Sequence, residues 1–206
     1  MLIYYISSSL LPSPLANSVH VMKMCQALAV NRHDVTLFAR EGDRQEVKSD
    51  LYNHYGVKNN FKTSLHQIRP VKALWNLSYC WQLIKKIKKL PRPDIFYGRY
   101  MYGIALCSYV FPDVKVTLES HTLPFSSIQK RIESWLFKRR NFSRLVVISQ
   151  ALKDDYLRAF PFLSASQILV AHDGADIPED KVAALPQLYG NPQNAHALYC
   201  GRLTKG

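Results

Sequence analysis

The feature that most constrains this chain is the order of patterns in its first forty residues. An apolar run at 2–6 leads into a Ser/Pro-rich stretch at 7–16, and a helical pattern opening at Asn17-Ser18 precedes a second apolar run at 35–39. This predicts a β-loop-α-β unit with parallel strands and with Asn17 or Ser18 as the helix N-cap. In an open parallel sheet, ligands bind beyond the carboxyl ends of the strands, where a helix N-terminus favours anions. The loop is therefore predicted to face a phosphate or carboxylate.

Strand and helix patterns continue to alternate along the chain. The strands are predicted at 61–68, 95–97, 114–119, 145–148 and 168–171, and the helices at 18–30, 47–55, 71–90, 104–111, 124–140 and 150–160. Ser149 is the predicted N-cap of the last helix. This alternation predicts an α/β fold with a doubly wound, mostly parallel sheet flanked by helices.

Two of these helices carry apolar stripes that we expect to face the sheet. The stripes are Leu74, Leu77, Trp81 and Ile84 in the helix at 71–90, and Ile128, Ile132, Trp135 and Leu136 in the helix at 124–140. The helix at 71–90 also combines Trp75 and Trp81 with a lysine-rich C-terminal end. Aromatic and basic residues together favour a membrane interface, so contact with an anionic membrane is the alternative for this helix.

The formal net charge of +12 predicts acidic partners, which are phosphorylated small molecules, anionic lipid headgroups or nucleic acid. Nucleic acid is disfavoured, because the charge is spread over several helices and loops instead of forming one basic stripe with interleaved aromatics. No apolar run approaches the roughly 20 residues of a membrane span, and no signal peptide is expected. The four cysteines lack CxxC spacing, which predicts reduced thiols, mostly buried, in a cytoplasmic protein.

The pattern changes after residue 177. Residues 1–177 are predicted to form one domain, the Pro-, Gln- and Asn-rich stretch at 178–195 a linker, and residues 196–206 the first strand of a second domain. Because a strand followed only by a Gly-Arg turn cannot complete a sheet, we expect the sequence to be a piece of a longer protein.

Polar side chains at the ends of parallel strands should converge on one edge of the sheet. They include Asn17, Ser18, Arg99, Tyr100, Ser120, His121, Ser149, Asp173 and Gly174. A neutral imidazole at His121 could bind a sugar hydroxyl or polarise a reacting group, or it could bond only to local backbone. Arg99 between aromatics suits stacking and anion pairing, although a surface arginine beside core tyrosines fits equally. His20 could reach the same loop or be a buried structural residue. No histidine has ligand spacing, which predicts no metal site.

The segments 14–28 and 33–37 resemble the N-terminal part of GT-B type glycosyltransferases of family 4. Short motifs follow in the order expected of that family, namely Tyr97-Gly98-Arg99, Glu119-Ser120-His121, the strand and cap at 146–149, the turn at 172–176 and Gly201-Arg202-Leu203. The resemblance covers essentially the whole chain. It implies a Rossmann-like, acceptor-side domain of a retaining enzyme that uses a nucleotide-sugar as co-substrate and needs no metal.

The family resemblance also assigns roles to individual residues. It implies that His121 is catalytic and contacts the transferring sugar, and that Arg202, with Lys205 as a weak substitute for the usual lysine, holds the diphosphate. Asn17, Ser18, His20, Arg99, Tyr100, Ser120, Asp173 and Gly174 are the candidates for binding the acceptor or the donor sugar. Leu15-Ala16 stands where many members have Gly-Gly, so we expect Asn17 and the helix N-terminus to approach the phosphate instead.

The function implied is that of a hexosyltransferase-type enzyme of polysaccharide biosynthesis, acting on a glycan, lipid or small-molecule acceptor. We expect it in the cytoplasm and without nucleic acid, and peripheral contact with an anionic membrane is an alternative that stays open. The piece alone should be inactive, because the nucleotide pocket of the family lies in the second domain. Two alternatives stay open, a nucleotide-sugar epimerase of the same architecture and a basic module that binds membranes or nucleic acid.

Overall fold

Seven strands form one parallel sheet in the computed structural model, which describes residues 1–42, 50–67 and 75–174. The strands are β1 (Leu2–Leu11), β2 (Asp34–Glu41), β3 (Lys62–His66), β4 (Ile95–Gly98), β5 (Lys115–Ser120), β6 (Phe142–Val147) and β7 (Ile168–Val170). Their order is β3-β2-β1-β4-β5-β6-β7, and every neighbouring pair is parallel. The predicted doubly wound sheet is confirmed. Its strand order reverses between β1 and β4, where such sheets open a crevice.

Helices cover both faces of the sheet. They are α1 (Ala16–Val30), α2 (Leu51–His54), α3 (Trp75–Ile87), α4 (Met101–Val110), α5 (Ser127–Phe137) and α6 (Gln150–Ala159). Alternate residues of β1 belong to two separate cores, with Ile3 and Tyr5 packed among residues of α1 and Tyr4 and Ile6 packed among residues of α3 and α4. The period of two along a strand therefore decides which helix layer each strand residue meets.

Strand β1 is longer than its first apolar run. The pairing with β2 continues to Leu11 after an irregularity between Ile6 and Leu10, so the loop predicted at 7–16 is wrong in its first half. Ser7 and Ser9 are buried, and the Ser7 hydroxyl donates to the Ser9 hydroxyl at 2.9 Å. The serines satisfy each other inside the fold, which is why a polar stretch can remain a strand.

The first helix begins without a side-chain cap, and the predicted caps at Asn17 and Ser18 are wrong. Leu15 occupies the N-cap position, and the Ser18 hydroxyl donates instead to the Leu10 carbonyl at 2.9 Å. The predicted cap of α6 is confirmed, because the Ser149 hydroxyl accepts from the backbone N–H of Leu152 at 3.2 Å.

Helix α3 turns a different side to the sheet than its sequence pattern predicts. Its buried residues include Tyr79 and Leu83, whereas Leu77 and Trp81 are 68% and 63% exposed. The Tyr79 hydroxyl donates to the Ser7 carbonyl at 2.5 Å, and this buried bond anchors the tyrosine side of the helix to β1. The prediction is correct in part for Ile84, which is partly buried against the core, and Leu74 lies outside the described residues.

Helix α5 shows the same kind of difference. It begins after a capping box at Ser126 and buries Glu133, Leu136 and Phe137, while Ile128 and Trp135 are exposed. The prediction is correct for Leu136, correct in part for the half-buried Ile132, and wrong for Ile128 and Trp135. Phe137 packs against Phe142 of β6 and Tyr156 of α6. The side of α5 that faces the core therefore includes Glu133 and Phe137, each one residue after a member of the predicted stripe.

The chain divides into two compact units, Met1–His172 and Asp173–Gly206. Residues 175–206 lie outside the described part of the chain, so the predicted boundary at 177, the linker at 178–195 and the strand at 196–206 stay predictions. Among the described residues, no helix combines the length and the apolar character that crossing a bilayer requires.

Three of the four cysteines lie in the described part of the chain. Cys25, Cys80 and Cys107 are free thiols and buried, as the sequence predicts. Burial raises the pKa of each, which keeps the thiols protonated and unreactive. The fourth, Cys200, lies outside the described residues.

Candidate functional site

A buried carboxylate, that of Glu119, organises the polar residues at the carboxyl edge of the sheet. Glu119 lies near the end of β5 and is 4% exposed. Its neighbour Leu118 belongs to the core under α3 and α4, so Glu119 projects toward the face that α1 covers. Tyr5 and Tyr97, which are partners across β1 and β4, lie on that same face.

Both oxygens of this carboxylate accept hydrogen bonds. Oε1 accepts from His20 Nε2 at 2.9 Å and from His121 Nε2 at 2.8 Å, and the Arg99 Nε lies 3.7 Å from it. Oε2 accepts from the hydroxyls of Tyr97 at 2.7 Å and of Tyr5 at 3.3 Å. These six residues, Tyr5, His20, Tyr97, Arg99, Glu119 and His121, are called the Glu119 cluster below.

The Glu119 carboxyl is ionised at neutral pH. Burial alone would raise its pKa, but hydrogen bonds from His20, Tyr97 and His121 lower it to about 2. The two tyrosines shift in the opposite sense, because burial and the negative charge of Glu119 raise the pKa of Tyr5 and of Tyr97. Each phenol therefore keeps its proton and remains a donor to the carboxylate.

The two histidine rings are held in a defined orientation. Each must carry its proton on Nε2 to donate to the carboxylate, and in a neutral imidazole Nδ1 is then an acceptor. The rings of His20 and His121 meet edge to face, with centroids 5.2 Å apart, and their side chains are 20% and 18% exposed. The arrangement can thus offer a fixed imidazole to a hydroxyl group of a ligand.

Gly98 brings Arg99 to this cluster. Its φ is +151°, and a Cβ there would lie 2.1 Å from the carbonyl oxygen of Ile6. The backbone N–H groups of Arg99 and Tyr100 both donate to that same carbonyl, at 3.1 Å and 3.3 Å. Only glycine allows β4 to approach β1 this closely at its end, so the turn that aims Arg99 at Glu119 depends on it.

Two of the predicted site residues have packing contacts of their own. The Ser120 hydroxyl donates to the Thr122 carbonyl at 2.7 Å and accepts from the Tyr156 hydroxyl at 2.8 Å, which fixes the turn around His121. Tyr100 is 5% exposed, and its hydroxyl donates to Asn76 Oδ1 at 2.8 Å. Their positions favour support of the site over direct contact with a ligand.

The remaining predicted site residues differ in exposure, and two of them lie outside the described part of the chain. Asn17 is exposed in the first turn of α1, whereas Ser18 is fully buried and bonded to the end of β1. Asp173 and Gly174 are exposed at the start of the second unit. The two candidates for diphosphate binding, Arg202 and Lys205, lie outside the described residues.

The cluster also contains a possible set of metal ligands. One atom each from His20, Glu119 and His121 lie within 4.8 Å of one another, and two imidazoles with a carboxylate suit a transition metal. However, both Nε2 atoms stand at hydrogen-bond distance from the same oxygen, and the Arg99 guanidinium adds a positive charge beside it. Protons and an arginine thus already compensate the carboxylate, so the donor set fits a metal poorly.

Sequence patterns alone did not single out Glu119, Tyr97 or Tyr5 as site residues. One signal for Glu119 was present, since an acidic residue ends the otherwise apolar run of β5 and stands two residues before His121. An acid in a strand that is buried on both faces needs partners, and partners at a strand end indicate a site. The tyrosines carry no such signal, because aromatic residues are ordinary in core strands.

The sequence profile of Glycosyltransferase Family 4 matches residues 18–178 of the chain. No protein of curated function matches the sequence significantly.

Solved structures share the fold at low sequence identity. HepE of Anabaena, solved with UDP and glucose, is 18% identical with a TM-score of 0.58 over 85% of this chain and 45% of its own. The lipopolysaccharide outer core galactosyltransferase WaaB is 12% identical with a TM-score of 0.58, over 87% and 47%. A putative UDP-N-acetylglucosamine 2-epimerase of Listeria monocytogenes is 10% identical with a TM-score of 0.54, over 81% and 44%. The chain thus spans about half the length of these proteins.

Proposed function

Because this chain belongs to Glycosyltransferase Family 4, we propose that it forms the N-terminal half of an enzyme that transfers a hexose from a nucleotide-sugar with retention of configuration. The fold is that of GT-B glycosyltransferases, and the family confirms the resemblance read from the sequence. The acceptor that we propose is a glycan or a lipid-linked glycan, and the process is polysaccharide biosynthesis. We propose that the enzyme acts in the cytoplasm.

The Glu119 cluster is the single observation that carries this proposal. Ionised Glu119 fixes the His121 ring, so that the ring can bond to a hydroxyl of the transferring sugar without reorganising during the reaction. The N-terminus of α1, where Asn17 is exposed, supplies positive potential at the same edge of the sheet, while Arg99 offsets the negative charge of Glu119. A positive potential beside an oriented imidazole suits a reaction in which a sugar is transferred and a nucleoside diphosphate is the leaving group.

The donor proposed is a sugar joined to a nucleoside diphosphate. HepE was solved with UDP and glucose, and a plant relative in fold, UGT89C1 of Arabidopsis thaliana, with UDP-L-rhamnose. We propose Arg202 and Lys205 as diphosphate ligands from the resemblance alone. Since the chain spans about half of such proteins, we expect the 206 residues by themselves to bind a donor weakly and to transfer no sugar.

We propose that no metal takes part. Arg99 and the N–H groups of the two imidazoles already compensate the carboxylate, and the positive groups proposed for the diphosphate are the side chains of Arg202 and Lys205. Treatment with a chelator should therefore leave transfer unchanged. Loss of transfer on chelation, restored by zinc or manganese, would contradict this part of the proposal.

The test is a transfer assay on the full-length protein that includes the second domain of the family, with UDP- and GDP-sugars and a panel of acceptors and with the product anomer determined by NMR. His121→Ala should lower the rate by about 10²-fold or more, because the oriented Nδ1 acceptor for the sugar hydroxyl is lost. His54→Ala is the matched control, since His54 is exposed on α2 outside the Glu119 cluster. Equal rates in the two variants would refute the role of His121.

A nucleotide-sugar epimerase is the second candidate. Epimerases occur among the solved structures of this fold, and the Glu119 cluster supplies the acid and base groups that the sequence alone did not reveal. An epimerase would exchange a sugar C–H with deuterium from D₂O in the absence of any acceptor. Proton NMR of the donor in D₂O therefore separates the candidates, since a transferase leaves that proton in place.

A further inference from the structure

The outer surface of α3, α4 and α5 is a second notable region, separate from the Glu119 cluster. The three helices lie side by side on the face of the sheet opposite α1, with α4 in contact with both α3 and α5. Six large apolar side chains on them and on the loop before α5 are between 40% and 85% exposed. These are Leu77, Trp81, Tyr109, Phe125, Ile128 and Trp135, called the outer face below.

On the α3 side, apolar and basic groups stand next to each other. A groove of about 490 Å³ runs between α3 and α4, lined by Leu77, Cys80, Trp81, Ile84, Leu106 and Val110, with Lys85 and Lys88 at its border. The Lys85 ammonium lies 4.8 Å from the centroid of the Trp81 ring. A lysine that runs along an exposed indole keeps its charge in water while the ring stays available to an apolar phase.

The α5 side repeats the combination. The Arg139 guanidinium lies 5.0 Å from the centroid of Trp135, and the Trp135 ring is 6.5 Å from that of Tyr109 on α4. A second groove, of about 550 Å³, has Phe160 and Phe162 among its lining and Lys130 and Lys138 at its border. Two grooves of the same character thus lie on this side of the sheet, one between α3 and α4 and one between α5 and residues 159–162.

The charge of these segments has one sign. Residues 75–90 carry four lysines and no acid, α4 carries no charged side chain, and residues 127–140 carry five basic residues. The acid within residues 127–140 is Glu133, which is 5% exposed and turned to the interior. Nine basic residues, four and five, thus account for much of the net charge of +12. Within these three segments an anionic surface would meet attraction and no exposed carboxylate, whereas the exposed Asp113 and Asp154 lie outside them, after α4 and on α6.

We propose that the outer face docks on an anionic lipid bilayer, with Trp81, Tyr109 and Trp135 at headgroup depth and the lysines and arginines on lipid phosphates. A bilayer suits the surface better than nucleic acid does, because Leu77 and Ile128 are aliphatic and give bases nothing to stack on. Three helices share the contact, so no single one has to be inserted deeply.

This docking would determine where the acceptor comes from, a consequence that rests on the proposed function. The loop that follows His121 leads through Phe125, which is 85% exposed, into α5. A bilayer on the outer face would therefore meet the chain four residues from the proposed sugar contact. An acceptor with a lipid anchor would reach the reactive edge while its anchor stays in the membrane.

The test is co-sedimentation of the full chain with phosphatidylcholine vesicles, with and without phosphatidylglycerol, in the absence of any nucleotide-sugar. We expect binding only with phosphatidylglycerol, weakening as salt is added. Lys85→Gln with Lys88→Gln should weaken binding about thirtyfold, or about fivefold per lysine. Lys58→Gln with Lys115→Gln, exposed lysines outside the outer face, is the charge-matched control and should change binding by less than about threefold.

Tryptophan fluorescence tests insertion separately. Vesicles with brominated acyl chains should quench emission, and Trp81→Ser should reduce that quenching. Val30→Ser, an exposed site at the end of α1, should not reduce it. The folded state of each variant is checked by circular dichroism.

Several results would overturn the proposal. They are absence of binding to phosphatidylglycerol vesicles, equal weakening in both lysine pairs, an oligonucleotide that competes at lower concentration than vesicles, and a dimer in solution that buries Trp81. Vesicle binding needs no substrate, so the two proposals fail separately. If the full-length protein with its second domain binds vesicles but transfers no sugar, the proposed function is refuted; if it transfers sugar but does not bind vesicles, the docking is refuted.

Discussion

Two glutamates of this domain are buried to the same extent, but their pKa values shift in opposite directions. Glu119 is 4% exposed and Glu133 is 5% exposed. Four donors approach the Glu119 oxygens within hydrogen-bond distance, and the pKa falls to about 2. Burial instead raises the pKa of Glu133 to about 7, because only Tyr156 opposes it and Oε2 has no hydrogen-bond partner. The number of donors, and not depth, decides where the fold keeps a negative charge.

The two carboxyls are connected through one tyrosine. Tyr156 contacts Glu133, and its hydroxyl lies 2.8 Å from Ser120 Oγ and 3.0 Å from the Thr122 carbonyl. Ser120 and Thr122 flank His121, so Glu133, whose ionised form is disfavoured by burial, supports through Tyr156 the turn that carries the proposed sugar contact. A charge is thus kept at the sheet edge, where a ligand can use it, and avoided between α5 and α6.

Replacing Glu119 should give the largest effect. Glu119→Gln removes the charge that compensates Arg99 and turns an amide NH₂ toward groups that are themselves donors. We expect a loss of about 4 kcal/mol in unfolding free energy at pH 7, the cost of breaking a buried charge pair. Transfer should fall by about 10²-fold, since the His121 ring loses its orientation.

Urea denaturation and the transfer assay measure these effects, with Glu133→Gln as the matched control. That variant has the same change at the same depth and leaves the Glu119 cluster intact. Losses of similar size in both variants would show that burial, and not the donor set, determines the contribution of each carboxyl.

The free energy of unfolding should depend on pH through both carboxyls, rising with pH because of Glu119 and falling with pH because of Glu133. The pKa of Glu119 falls from 4.5 to about 2 on folding, so its contribution is present above 4.5 and is lost as pH falls through 2. The pKa of Glu133 rises from 4.5 to about 7, so its contribution is present below 4.5 and is lost as pH rises through 7. The stability profile therefore has an acid limb, due to Glu119, and an alkaline limb, due to Glu133, and each changes the free energy of unfolding by about 3 kcal/mol.

Urea titrations from pH 2 to pH 9 would measure both limbs, with pH values chosen from the pKa values above. Glu133→Gln should flatten the alkaline limb and leave the acid limb as it is, and Glu119→Gln should do the reverse. A single variant that flattens both limbs would contradict the separate assignment.

At pH 8, Glu133→Gln should stabilise the protein by about 1 kcal/mol, because an amide need not ionise in the helix layer. The gain should disappear at pH 5, where the wild-type carboxyl is neutral in the fold. Thermal unfolding at the two pH values measures it. A destabilisation that is the same at both values would mean that Glu133 is needed for its shape alone.

The smallest effect should come from cutting the link between the two glutamates. Tyr156→Phe removes a hydroxyl that bonds to the turn at Ser120 and Thr122. We expect a cost of about 1 kcal/mol, the usual value of one such bond, and a modest rise in KM with kcat nearly unchanged. Phe160→Leu, in the ring that stacks on Tyr156, is a packing control that should change stability but not KM.

The fold was predictable because its strands and helices alternate with clear periods. The orientation of α3 and α5 was not, because apolar residues lie on more than one side of each helix. In α3, Leu77 and Trp81 form a stripe as regular as that of Tyr79 and Leu83. The choice depends on the hydrogen bond from Tyr79 to Ser7, a residue 72 positions away, and no local pattern contains that partner.

The site was predictable in part, because the alternation of strands and helices predicts which residues follow the strand ends. The strand-end rule brings His121 and Arg99 to one edge, and the structure places them, with His20, around one carboxylate. The identity of that carboxylate was missed because its partners are far apart in sequence, with His20 99 positions before Glu119. Spacing identifies ligands on one helix or loop, whereas this cluster is assembled by strand order.

The most direct test of this account is the protonation of the two histidines. Long-range ¹H–¹⁵N correlation spectra of the ¹⁵N-histidine-labelled protein at neutral pH report which ring nitrogen carries the proton. We predict the Nε2–H form for both His20 and His121, with both signals changing in Glu119→Gln and neither changing in Glu133→Gln. An Nδ1–H form of His121 in the wild-type protein would contradict the claim that Glu119 orients it.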